Sequence, residues 1–184
     1  MKNKKIKILL IMVVLLTLGY FAFQFLLIKA SEYVMRTEIL NAEEIAGKTD
    51  NNSYGIRNDV YDVIQKEYFE KMNLSEEEKR VVLEYAYLDQ KLISNFENED
   101  FIIENVKNIL ILIRCSFLDE KLEKIIKNIT SVNSIYFKTF INNKERDLAF
   151  RIYERIYSNN SVEIQTYLKE KLNCENLKKN IQSK

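Results

Sequence analysis

The chain has no histidine, no tryptophan and no proline, and only three glycines and two cysteines in 184 residues. Each scarcity excludes something. Without histidine there is no Ser-His-Asp triad, no Cys-His pair and no histidine-built zinc or di-iron site. Two cysteines alone do not make a structural zinc site, so no metal and no cofactor is expected. The three glycines never gather into a phosphate-cradling loop, which removes support for nucleotide binding. With no proline and almost no glycine the chain has few breakers, and this favours long helices over a turn-rich β fold.

Cys115 and Cys174 are too few and too far apart for a disulfide framework. Both fall in helical patterns, where a free cysteine commonly serves as a small buried apolar residue. In an oxidising compartment the alternative is that they pair.

What the chain does have is a long uncharged run. Residues 8–28, ILLIMVVLLTLGYFAFQFLLI, carry no charge, and a helix of that length spans roughly 30 Å, the thickness of a bilayer's hydrocarbon core. Backbone groups in lipid must be satisfied internally, so the run reads as a transmembrane helix and a signal anchor. Lys2, Lys4, Lys5 and Lys7 precede it, whereas the first acidic residue is Glu32. That bias puts residues 1–7 in the cytoplasm and the rest across the cell membrane, as a single-pass protein. A cleaved signal peptide shares the basic start, but its apolar region is shorter and ends in small residues. Here Ile28 and other bulky residues surround the Ala30–Ser31 bond.

Setting aside the four N-terminal lysines leaves 24 basic and 27 acidic residues, a net of −3 for the exported part. Nucleic acid needs a basic face and is not expected as a partner.

Beyond the run, Met35, Ile39, Ala42 and Ala46 recur at helical spacing, and 29–46 reads as a helical stalk. Its stripe would either pair with a second copy or, the favoured reading, pack on its own domain. Residues 47–58, GKTDNNSYGIRN, concentrate the turn formers and read as a flexible joint, with Gly47 in a left-handed helix cap. The remainder, 59–184, reads as an all-α multi-helix bundle or stacked helical hairpins. Ser75 with Glu78, Asn142 with Glu145 and Asn160 with Glu163 are helix-start signals. The apolar centre of 101–117, ILILI at 109–113, lacks strand alternation and has no strand partner, so a central core helix is expected. Leu118 and Leu172 extend the apolar faces of the later helices.

No nucleophile, metal set or phosphate cradle assembles from these residues, so a non-enzymatic interaction protein is expected. Its place would be an envelope complex on the extracytoplasmic side, held by the lipid bilayer through residues 8–28. One alternative is a tethered immunity or inhibitor protein. The other is a carboxylate-dependent enzyme acting on cell-wall glycan, for which Glu97, Glu99 and Asp100 are the only acidic cluster to nominate. Such residues more often begin a helix. Among eleven tyrosines, Tyr87 and Tyr157 sit beside apolar stripes rather than on them, which makes them the candidate protein contacts.

Overall fold

The computed structural model describes residues 2–39, 41–116, 119–171 and 174. Phe117, Leu118, Leu172 and the basic tail lie outside them. The described residues form nine α-helices and no strand, an all-α bundle.

Helix α1 (Lys2–Thr37) contains the uncharged run. Its part Met12–Thr37 has a mean hydropathy of 1.9 and an apolar window with no burial, so it is long and apolar enough to cross a membrane. The helix stops at Thr37, and Asn41 starts α2 (Ala42–Ala46) by accepting from the Glu43 amide at 3.0 Å. The stalk expected over 29–46 is therefore two helices, broken where Asn41 supplies a cap. It also does not stand free of the body. Met35 and Ile39 pack on the core and Ile45 is fully buried, so the apolar stripe is used within the chain.

The loop 47–58 is closed by its own hydrogen bonds. Asn58 N–H bonds Lys48 C=O at 2.7 Å, and the Asn52 side chain donates to Ile56 C=O at 2.7 Å and accepts from its N–H at 3.2 Å. Ile56 and Arg57 are buried. The turn-forming asparagines supply hydrogen bonds that close the loop on itself.

Helix α3 (Asn58–Ile64) widens into a π turn, Gln65–Phe69, that brings the Tyr68 hydroxyl to Asn128 at 3.0 Å. Helix α4 (Glu76–Ser94) opens with the expected capping box at Ser75 and Glu78. Glu78 also receives Lys121 at 2.9 Å, tying the cap to α6 (Glu120–Ile129). Helix α5 (Glu99–Ser116) is the core helix, burying Ile102, Val106, Ile109 and Leu112 on one face. Then follow α7 (Ile135–Phe140), α8 (Lys144–Asn159) and α9 (Ser161–Lys171). The cap of α8 is Asn143, one residue later than expected; Asn142 instead donates to Asp59 at 3.1 Å. The side chain of Asn160 donates to Ile156 C=O and Glu99, so it caps the end of α8 rather than the start of α9.

Cys115 and Cys174 form a disulfide, joining the end of α5 to the chain beyond α9. Of the two readings left open by the sequence, buried free thiols or a pair, the structure has the pair. Local helical patterns say nothing about a partner 59 residues away.

Candidate functional site

Helix α8 runs antiparallel along α1. Lys144 lies 3.8 Å from Glu38 at one end, and Arg155 donates to Ile28 C=O at 3.1 Å at the other. Arg36 donates to Phe96 C=O in the α4–α5 turn, and Lys29 lies 3.7 Å from Glu99. The foot of the body is thus clamped to the stretch where the uncharged run ends.

That foot holds the acidic cluster. Glu97, Glu99 and Asp100 line an open concavity of about 720 Å³ together with Asn160 and Glu163. Sequence neighbours here remain spatial neighbours. Glu99 is engaged by Lys29 and by Asn160 at 3.4 Å, and Glu163 is paired with Lys107 at 2.7 Å. These contacts fasten α5 to α1 and α9, a packing role for which charges at helix starts are well suited.

A second polar centre lies half-buried in the body, and nothing in the sequence pattern singled it out. Asp89 on α4 accepts from the Tyr136 hydroxyl at 3.0 Å, with Tyr85 and Tyr153 beside it. Burial raises its carboxyl to about 7, and the hydrogen bonds from Tyr136 and Tyr85 only partly oppose that. Burial and the nearby Asp89 charge push the Tyr85 and Tyr136 hydroxyls well above their ordinary range. The available signal was Asp89 lying one turn after Tyr85, at the edge of the stripe Tyr85, Leu88 and Leu92.

The rings form a continuous run. Tyr85 lies 6.1 Å from Tyr136, Tyr136 stacks on Phe140 at 5.9 Å, and Phe150 meets Tyr153 at 5.4 Å. Tyr157 extends it, 6.5 Å from Tyr153. Both contact candidates are half-buried. The Tyr87 ring carries Lys91 at 4.5 Å, and Tyr157 sits two residues past Arg155, at the foot of α8.

Asp89 has a measurable consequence. Its folded-state value lies above the unfolded one, near 3.9, so the folded protein holds the proton longer. Stability from this group is therefore full below about pH 4 and is lost as pH rises through about 7. Part of the residue meets solvent, which holds the loss to about 2–3 kcal/mol rather than the full linkage value. With no histidine in the chain, little else titrates between pH 5 and 8. Asp89→Asn keeps an oxygen acceptor for Tyr136 without the charge. Its unfolding free energy should stay level from pH 5 to 8 while the parent declines, and it should be the more stable of the two at pH 8. Parallel curves for both proteins would refute this.

No protein-family model matches the chain, and no curated protein or solved structure matches it. The residues and their geometry therefore carry the functional reading.

Proposed function

We propose that this is a single-pass, membrane-anchored helical interaction protein, an adaptor of an envelope complex, without enzymatic activity. Its N-terminus is cytoplasmic and its helical body lies on the extracytoplasmic face. The observation that carries the proposal is the clamp between anchor and body through Arg155, Arg36 and Lys29. It makes the bundle and the apolar helix one unit, so a bound partner is held at a fixed place on the bilayer and at raised local concentration. The disulfide supports export, because such bonds persist in oxidising compartments. Tyr87 is the contact candidate better placed for a soluble partner, since Tyr157 is at the clamped foot.

Cross-linking in intact membranes followed by purification of the full chain tests this. A stable protein partner whose yield falls with Tyr87→Ala, at unchanged protein level, is the expected result. If the captured partner is a toxin or hydrolase, the role is that of an inhibitor. Glycan turnover abolished by Glu97→Gln, Glu99→Gln and Asp100→Asn would replace the proposal with an enzyme. A reporter active only outside the cytoplasm, fused after Lys184, should give signal.

A further inference from the structure

Outside α1, few large apolar side chains in the described residues are strongly exposed, and Val162 is the extreme case at 80 %, more open than any large apolar residue of the run from Met12 to Ile28. It stands on the first turn of α9, two residues after Asn160. Its position relative to the bilayer follows from the clamp. Ile28 is the last residue of the uncharged run and Lys29 the first charge after it, so together they mark where hydrocarbon gives way to headgroups. Arg155 reaches the Ile28 carbonyl, Lys29 reaches Glu99, and Glu99 meets Asn160. From Arg155, α8 runs on to Asn159, and the chain of contacts Lys29–Glu99–Asn160 ties the corner that follows to the level of Lys29. The α8–α9 corner is thereby brought to headgroup level, along with the partly exposed ring of Tyr157. Tyr33, 70 % exposed and one turn above Lys29, occupies the level where tyrosine belts gather.

Resting on the reading of α1 as a membrane span, we propose that the α8–α9 corner is a lipid-contact surface. It seats the body on the bilayer, with Val162 in the interfacial layer. The lipid it fits is zwitterionic. Glu97, Glu99, Asp100 and Glu163 surround the corner, and Glu99 and Glu163 already hold Lys29 and Lys107. An anionic surface would meet acids first. Contact is apolar and interfacial, the mode in which a side chain gains by leaving water without entering the acyl core.

The test uses the full chain with its native disulfide and one added cysteine carrying an environment-sensitive fluorophore, reconstituted in phosphatidylcholine vesicles. Three positions are compared: V162C; F21C within the uncharged run; and E77C, exposed on the first turn of α4 and about 26 Å along that helix from the α4–α5 turn. Lipids bearing a nitroxide on the headgroup should quench V162C several-fold more than E77C, and acyl-chain nitroxides should quench F21C. Adding anionic lipid should weaken quenching at V162C while leaving F21C unchanged. Quenching at V162C no greater than at E77C, with F21C still quenched, overturns the seat but leaves the anchor standing. An unquenched F21C removes the anchor, and the seat with it. A V162C signal blue-shifted but indifferent to lipid nitroxides means the corner is covered by protein, which also overturns the proposal.

Discussion

Arg57→Ala should lower the stability of the body by about 3–5 kcal/mol, from two helix-end carbonyls left without a donor and the space emptied by a buried side chain. The guanidinium is almost fully buried. It donates to Phe140 C=O at 3.1 Å and to Thr139 C=O, and to the Asp59 carboxylate. The two carbonyls end α7, where no further helical turn satisfies them, so the arginine serves as its cap. Asp59 contributes less, because it is substantially exposed and solvent screens that pair. Burial opposes ionisation of Asp59, yet the hydrogen bond from Arg57 and the charges of Arg57 and Arg146 outweigh it and keep the carboxyl below its usual range.

The same arginine explains Gly47. That residue has φ +64°, and a Cβ there would lie 2.4 Å from Arg57 Cδ and 3.2 Å from Arg146 Nη2. A side chain at position 47 is thus strained by its backbone and blocked by the guanidinium stem. Denaturant unfolding of Arg57→Ala, with Arg57→Met as a control that refills the volume, separates lost packing from lost hydrogen bonds. A loss below about 1 kcal/mol for the alanine variant would be that of an ordinary surface residue and would reject the capping role.

Reducing the Cys115–Cys174 bond, or replacing both residues with serine, should cost about 4 kcal/mol on the chain-entropy scale for a closed loop with a sequence separation of 59. The effect should concentrate on α9. Among the described residues Ile164 and Leu168 are its fully buried side chains, and it is tied to α5 by Lys107, which pairs with Glu163 and lies over the Tyr167 ring at 4.9 Å, and by the Arg114–Gln165 hydrogen bond at 2.7 Å. A helix of this length is marginal alone. Amide exchange should therefore accelerate first in α9 under reducing conditions, with α4 and α5 still protected. Equal stability with and without reductant, or uniform acceleration along the chain, would count against this.

Much of the fold was legible because its determinants are local. The helical period places Ile102, Val106, Ile109 and Leu112 on one face of α5 whatever surrounds them. A capping box closes within four residues, so Ser75 and Glu78 announce α4 from the sequence. At Asn142 the same signal slipped by one residue, because two adjacent asparagines can both cap, and the neighbour's bond to Asp59 chose between them. The acidic turn was legible as a cluster, but its use was not, since Lys29 and Lys107 approach it from α1 and from higher on α5.

The sequence by itself determined an all-helical body, an apolar N-terminal helix long enough to cross a bilayer, and the absence of histidine chemistry. Composition, period and capping act over a few residues and need no partner. The tertiary structure alone decided that the cysteines pair and that Asp89 meets Tyr136 from 47 residues away. It also decided that Arg57 caps a helix ending 83 residues later and that Arg155 clasps Ile28 across 127. Each of these is a polar or covalent contact whose energy depends on burial and on a distant partner. No local pattern encodes either until the core has brought the helices together.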